Sequence, residues 1–249
     1  MRPAGLCAIF LLLTPLLPAQ AGFLDLLESG TARQVLAAVQ AGADVRQSDR
    51  AGVTPLMIAA AKNPDPSVLL VLLAAGAPVD ERDWIGATAL LYAARFNPRS
   101  EVAKALLESG AEVDLRDSMD ETALMYAAQF NQSPDVARVL LDSGARVDAT
   151  DRSGLTALML AARDNPVPGV LQLLLDRGAD VNRRNVTGMT PLLFAAQCAV
   201  NPAVVSVLLA AGADPRAAAG GGQTALSLAS RNPRLRGTDA YEALARATP

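Results

Sequence analysis

The chain has 249 residues, of which 51% are hydrophobic and 4% aromatic, and its formal net charge is −3. It contains no histidine, which excludes Ser-His-Asp and Cys-His catalysis and removes the commonest zinc ligand. Its arginines are scattered among aspartates and glutamates instead of forming a basic stripe. Binding to nucleic acid or to a membrane surface is therefore not expected, and the apolar fraction is large enough for one continuous core.

The first 21 residues have the pattern of a secretory signal peptide. Arg2 gives the N-terminal region a positive charge, and an apolar region runs from Leu6 to Leu17. Ala19-Gln20-Ala21 then forms a small-residue cleavage site, with cleavage expected before Gly22. The apolar segment contains proline and is shorter than the ~20 residues that a membrane-spanning helix needs. We therefore predict a cleaved signal and no membrane insertion afterwards, with a retained signal anchor as the alternative.

The predicted mature protein is exported, and two features of its composition bear on its surroundings. A single cysteine, Cys198, remains after cleavage, so no internal disulfide can form and stability must come from packing. Lys62 and Lys104 are the only lysines, which indicates a bacterial genome of high GC content. The predicted location is the periplasm or the medium.

A 34-residue repeat organises the rest of the chain. Each of six threonines opens a variant of one phrase, from TPLMIAA to TALSLAS, and six glycines keep the same step. The threonines are Thr54, Thr88, Thr122, Thr156, Thr190 and Thr224, and the glycines are Gly42, Gly76, Gly110, Gly144, Gly178 and Gly212. Such self-similarity indicates a stack of one supersecondary unit. Function in these stacks lies on an extended surface, so we predict a binding protein and not an enzyme.

The unit that contains Thr88 illustrates the predicted structure. Thr88 is expected to cap a first helix over residues 89–96 through its hydroxyl group. This helix is expected to end at Asn97-Pro98, with asparagine in the left-handed conformation. A second helix over residues 100–109 then ends at Gly110.

Several positions of this pattern resemble the ankyrin repeat. The resemblance rests on Thr54-Pro55-Leu56, on the paired alanines Ala93-Ala94 and Ala127-Ala128, and on Gly178-Ala179-Asp180-Val181-Asn182. It covers residues 23–249 and implies an all-α repeat solenoid of antiparallel helix pairs with short β-hairpin fingers between them. We predict about seven units in residues 22–249, including divergent units at both ends.

Two features depart from the family's pattern. The usual period is about 33 residues, and we assign the extra residue here to the turn between the paired helices. The histidine typical of the fourth motif position is absent, and apolar packing is expected to replace its hydrogen bonds. The residues at this position are Met57, Leu91, Met125, Met159, Leu193 and Ser227.

The resemblance places the binding surface on a concave face, made by the finger tips and the residues that follow the paired alanines. Aromatic residues and arginine dominate interface hot spots. The predicted partner-binding residues are Trp84, Ile85, Arg95, Phe96, Met119, Gln129, Phe130 and Arg163. The predicted partner is a protein or peptide, with Arg95 and Arg163 donating hydrogen bonds to it, and no cofactor, metal or catalytic residue is predicted.

Several alternatives remain open at this point. Phe96 and Phe130 could fold over the turn between helices and seal the core, and the protein could self-associate as a structural component of the envelope. Binding of a small ligand in the groove is a third function. Tyr92 and Tyr126 are expected to be partly packed between repeats.

Two further residue sets invite a chemical interpretation. The recurring Asp49, Asp83, Asp117 and Asp151 could form paired carboxylates or a cation site, but turn-forming side chains are the favoured interpretation. Cys198 lies near the C-terminal end of a predicted helix, where the dipole disfavours a thiolate, so an inert and partly buried thiol is favoured over a reactive one.

Overall fold

The computed structural model describes the backbone of residues 16–248 and the side chains of residues 22–248. Residues 1–15 of the predicted signal peptide lie outside the described residues. Within the described range the chain forms fourteen helices. They are α1 (Leu16–Ser29), α2 (Ala32–Gln40), α3 (Pro55–Lys62), α4 (Pro66–Ala74), α5 (Ala89–Phe96), α6 (Ser100–Glu108), α7 (Ala123–Phe130), α8 (Pro134–Asp142), α9 (Ala157–Asp164), α10 (Pro168–Asp176), α11 (Pro191–Cys198), α12 (Ala203–Ala210), α13 (Ala225–Ala229) and α14 (Asp239–Ala247).

These helices form seven pairs stacked in two layers. Each odd-numbered helix packs on the next odd-numbered one, and the even-numbered helices form the second layer in the same way. We call the odd-numbered helices inner and the even-numbered helices outer. One apolar core runs between the layers from Phe23 to Leu244. The predicted all-α repeat solenoid is therefore confirmed. No helix among residues 16–248 is long and apolar enough to cross a membrane.

The six recurring threonines each precede the first residue of an inner helix, and all but one make the predicted capping hydrogen bond. The hydroxyl oxygens of Thr54, Thr122, Thr156, Thr190 and Thr224 each accept a hydrogen bond from the backbone N–H three residues later. Thr88 has the same extended backbone, but its hydroxyl is buried without any hydrogen-bond partner. The cap predicted at Thr88 is therefore wrong, because the hydroxyl does not reach a first-turn amide.

The inner helices end at asparagines, but in a conformation different from the predicted one. Asn63, Asn97, Asn131 and Asn165 have φ between −80° and −103° and ψ between 117° and 128°, which is extended and not left-handed. A following proline explains three of them, since proline disfavours helical backbone at the residue before it. The left-handed position belongs instead to the glycines that follow the outer helices, such as Gly110 with φ 94°.

Each of these buried asparagines links its unit to the preceding one. The side-chain amide of Asn131 donates to the backbone oxygens of Ala94, at 3.0 Å, and Asn97, at 2.8 Å. Within α5 the natural donor to Ala94 would be residue 98, which is a proline without an N–H group. The next unit therefore supplies the missing donor. Asn63, Asn97, Asn165 and Asn232 make the same pair of bonds, and Ala199 interrupts the series.

The recurring aspartates shape the fingers between units, as the favoured interpretation predicts. Asp83 Oδ1 accepts hydrogen bonds from the backbone N–H groups of Ile85 and Ala87, at 3.0 and 2.8 Å. Successive tips are joined by single backbone bonds such as Trp84 N to Ala51 O, at 3.0 Å. The short β-hairpins expected for these fingers are wrong: the fingers are turns closed by aspartate side chains, and the described residues contain no strand and one isolated bridge, between Ala218 and Thr224.

The motif position that usually holds histidine is occupied by a buried apolar residue in five of the six repeats. Met57, Leu91, Met125, Met159 and Leu193 are all buried in the core, which confirms apolar packing there. Ser227, in the last unit, is exposed, and its hydroxyl group exchanges hydrogen bonds with the backbone of Thr224. The prediction of apolar packing is wrong for Ser227, because its hydroxyl group bonds to the backbone at the start of α13 instead.

We predict that Asn131→Ala lowers the free energy of unfolding by about 3 kcal/mol, because two buried carbonyl groups lose their donor. Urea unfolding monitored by circular dichroism measures this change. Asn201→Ala is the matched control, since Asn201 also donates to a carbonyl of the preceding unit, Pro166, but at an exposed site. Equal losses for the two variants would contradict a special role for the buried asparagines.

The hydroxyl group of Thr88, which makes no capping bond, can be compared with the capping hydroxyl group of Thr122 by replacing each threonine with valine. Thr88→Val is expected to leave the free energy of unfolding unchanged or to raise it by up to about 1 kcal/mol, because it removes a buried and unpaired hydroxyl group. Thr122→Val is expected to lower it by about 1 kcal/mol, because that hydroxyl caps α7. The same unfolding assay distinguishes the pair, and a destabilised Thr88→Val protein would be the contrary result.

Candidate functional site

The finger tips and the C-terminal ends of the inner helices border a depression that we call the inner groove. It corresponds to the surface that the resemblance predicts for binding. One cavity in it has a volume of about 130 Å³ and is lined by Ile85, Ala87, Leu91, Tyr92, Arg95, Phe96 and Tyr126. A wider depression of about 640 Å³ shares Tyr92 and Phe96 with this cavity and extends to Lys62 and Glu28.

Large apolar side chains are exposed around this cavity. Trp84, beside Ile85 at the tip of the finger between α4 and α5, is 79% exposed. Phe96 and Phe130, at the ends of α5 and α7, are 55% and 42% exposed, so neither ring is folded into the core. Met119, at the tip of the finger between α6 and α7, is also exposed. Five of the predicted residues therefore present apolar surface to solvent in two adjacent units.

Arg95 lies among the rings of these two units. Its guanidinium carbon is 4.2 Å from the ring centre of Phe130, 5.1 Å from that of Phe96 and 5.4 Å from that of Tyr126. Tyr92 and Phe96 pack with their ring centres 6.1 Å apart. We call Tyr92, Arg95, Phe96, Tyr126 and Phe130 the aromatic cluster. Contacts of a cation with ring faces hold the arginine in place.

The two tyrosines are fixed by the finger aspartates. The Tyr92 hydroxyl donates to Asp83 Oδ2 at 2.9 Å, and the Tyr126 hydroxyl donates to Asp117 Oδ2 at 2.8 Å. Burial and the hydrogen bond to Asp83 raise the pKa of Tyr92 to about 12, and burial and Asp117 also raise the pKa of Tyr126. Tyr92 is partly packed, as predicted, whereas Tyr126 is buried in the core. Both hydroxyl groups stay protonated at physiological pH.

Sequence reasoning missed this second role of the aspartates, although a signal exists. An aspartate and a tyrosine nine residues apart occur in the second and third full repeats, counted from Thr54. The other full repeats have Ile58, Leu160, Phe194 or Leu228 at the tyrosine position and so lack the hydroxyl donor. The tyrosine and its aspartate thus mark the same two units as the exposed aromatic side chains.

Gln129 and Arg163 belong to a separate polar network. Gln129 Nε2 and Arg163 Nε both donate to Asp164 Oδ2, at 2.6 and 2.9 Å. Arg163, predicted to bind the partner, is therefore already paired with an acid inside the chain. The structure brings Ile85, Arg95 and Phe96 to one cavity and leaves Arg163 outside it.

Cys198 is exposed at the end of α11. Neighbouring atoms that partly desolvate the thiol, together with the charge of Asp164, raise the pKa of Cys198. A reactive thiol needs a lowered pKa instead. The inert interpretation agrees with this environment, although the side chain is more exposed than expected. No group of three or more histidine, cysteine or acidic residues in the described part of the chain is arranged to hold a metal ion.

Comparison with known proteins agrees with this architecture. A family model for ankyrin repeats, in three copies, matches residues 26–117, 112–185 and 168–247. A search of curated proteins finds no match. Ankyrin repeats generally mediate interaction between proteins and are typically not enzymes. Because the matches extend over almost all of the described residues, the chain belongs to the ankyrin-repeat family.

Proposed function

We propose that this protein is an exported binding module that holds a protein or peptide partner in the inner groove. The observation that carries the proposal is the concentration of exposed aromatic side chains in two adjacent units. Aromatic residues make up only 4% of the chain, yet Trp84, Phe96 and Phe130 belong to two adjacent units and are all exposed. Exposed apolar clusters with polar surroundings mark interaction sites.

The dimensions of the cavity favour a side chain as its occupant. Its volume of about 130 Å³ is close to the ~150 Å³ of an engineered cavity that binds benzene. Ile85 at the finger tip lines the cavity, and the adjacent Trp84 is exposed, so the finger can cover a side chain that enters. A leucine, methionine or aromatic residue of the partner fits this space.

The groove is also held in its shape before any partner binds. Asp83 and Asp117 each tie a finger to a tyrosine of the inner helix behind it. Rings held in this way lose little conformational freedom on binding, so more of the interaction energy contributes to affinity.

Export is part of the same proposal and rests on the pattern of residues 1–21. The first core residues with described side chains, Phe23 and Leu27, follow the expected cleavage site and are fully buried. Removal of residues 1–21 would therefore leave this part of the core within the mature chain. A periplasmic or secreted location follows from the signal.

Self-association is a second candidate function, favoured by one apolar patch on the outer helices. Leu36 of α2 and Leu70 of α4 are 43% and 49% exposed and border a shared depression with Val39 and Val71. This patch lies on outer helices, whereas the inner groove is built from fingers and inner helices. The two candidates can therefore be tested with separate variants.

A crosslinking pull-down from the extracytoplasmic fraction tests the groove. We expect the mature wild-type protein to capture a partner that the Trp84→Ala, Phe96→Ser, Phe130→Ser variant loses. The matched control is Leu36→Ser, Leu70→Ser, which removes exposed apolar side chains from the outer helices and should retain the partner. Circular dichroism must show both variants folded.

Two outcomes would count against the groove. Equal capture by wild type and groove variant would place the partner elsewhere. Oligomers of the wild type in light scattering, dispersed by the Leu36→Ser, Leu70→Ser variant, together with no captured partner, would favour self-association.

Intact-mass measurement of the protein purified from the extracytoplasmic fraction tests export. We expect a mass that corresponds to a chain beginning at Gly22, because cleavage is predicted after Ala21. A full-length chain in the membrane fraction would support the signal anchor instead, and a full-length chain in the cytosol would contradict export.

A further inference from the structure

Arg95 has no acidic partner among the described residues, in contrast to three other basic residues of the fingers and inner helices. Lys62 pairs with Glu28, Arg152 with Asp120 at 3.4 Å, and Arg163 with Asp164 at 2.9 Å. Within residues 22–248 no carboxylate oxygen lies within 4.0 Å of the Arg95 guanidinium. Its charge is therefore available to a partner.

The guanidinium of Arg95 is nevertheless held in a defined position. Phe130, Phe96 and Tyr126 lie within 5.4 Å of it, so the rings restrict its motion. The side chain is half-buried, and none of its nitrogens is both buried and unpaired. A guanidinium that is stacked on rings and open at its edge presents its N–H groups as a fork, the geometry that matches a carboxylate.

The carboxylates closest to the aromatic cluster are engaged within the fold. Asp83 is buried and accepts hydrogen bonds from Ile85, Ala87 and Tyr92. Asp117 is buried and bonded in the same way by its own finger and Tyr126. Glu121 is half-buried, and burial and the charge of Asp117 raise its pKa, while Arg95 offsets part of this rise from more than 4.0 Å away. These acids lie at the base of the fingers, whereas Arg95 borders the cavity.

A second basic residue without an acidic partner lies on the neighbouring finger. Arg50 lies at the tip of the finger between α2 and α3 and is exposed. No carboxylate oxygen lies within 4.0 Å of it among the described residues. Its finger is bonded directly to the finger that carries Trp84. Two adjacent units thus each carry a positive charge that has no carboxylate oxygen within 4.0 Å among the described residues.

We infer that the inner groove recognises an acidic peptide segment in which an aspartate or glutamate lies next to a large apolar residue. The apolar side chain enters the cavity lined by Ile85, Leu91 and Tyr92, and the adjacent carboxylate accepts hydrogen bonds from Arg95. Arg50 adds attraction for further acidic residues. This inference rests on the proposed function and adds the chemistry of the partner to it.

Selection of random linear peptides displayed on phage tests the inference without a known partner. The mature wild-type protein, Arg95→Glu and the Phe96→Ser, Phe130→Ser variant are each used as the immobilised target. We expect the wild type to enrich peptides with an acidic residue beside a leucine, methionine or aromatic residue. Arg95→Glu is expected to lose this enrichment and to favour lysine and arginine instead.

A peptide enriched on the wild type then serves as a synthetic probe for fluorescence anisotropy. Replacing its acidic residue by the matching amide is expected to weaken binding about tenfold to a hundredfold, and Arg95→Gln should do the same. Arg95→Lys, which keeps the charge but loses the planar fork, should give an intermediate affinity. With Arg95→Gln, the acidic peptide and its amide form should bind equally.

The outcomes separate this inference from the proposed function. Peptides that need Phe96 and Phe130 but show no acidic preference, and bind Arg95→Glu as well as wild type, would overturn the inference and leave the groove intact. No enrichment by wild type over the Phe96→Ser, Phe130→Ser variant would count against peptide binding in the groove, and with it against the inference.

Discussion

The buried asparagines that follow five of the seven inner helices form the interaction on which the stack depends. A helix end leaves backbone carbonyl groups without donors, and here proline removes one donor that the chain could have supplied. The asparagine of the following unit satisfies these carbonyl groups from across the junction, at positions buried from water. The cost of leaving a buried carbonyl group unpaired therefore holds successive units in one register. Finger tips and helix ends are spaced along the groove as a result.

The finger aspartates extend this register to the binding surface. One oxygen of Asp83 closes the finger turn, and the other accepts the hydroxyl hydrogen of Tyr92 in the inner helix. The finger and helix of one unit are thus joined by a single side chain. The tyrosine ring then supports Phe96, and the rings of two units together hold Arg95. The groove is specialised in those units whose inner helix supplies a tyrosine.

The two arginines first assigned to partner binding show how context changes the role of a residue type. Arg95 and Arg163 occupy equivalent positions in their units, immediately after the paired alanines. Arg163 is followed by Asp164 and pairs with it, so its charge is compensated within the chain. Arg95 is followed by Phe96 and rests on aromatic rings, so its charge stays available. One neighbouring residue therefore separates a structural ion pair from a site that can select an acidic partner.

The sequence by itself determined the repeated unit, the bounds of its helices to within about a residue or two and the buried positions, because these follow from local periodicity and turn chemistry. It also brought Trp84, Phe96 and Phe130 to notice, since exposed aromatic residues are rare in this chain. Only the tertiary structure decided the bonds of Asn131 to the preceding unit, the unpaired hydroxyl of Thr88 and the contacts of Arg95 with rings of the next unit. These features depend on distances between side chains of different units or on the angle of a single hydroxyl group. Such distances and angles arise when the units pack together, and no periodic pattern along the chain specifies them.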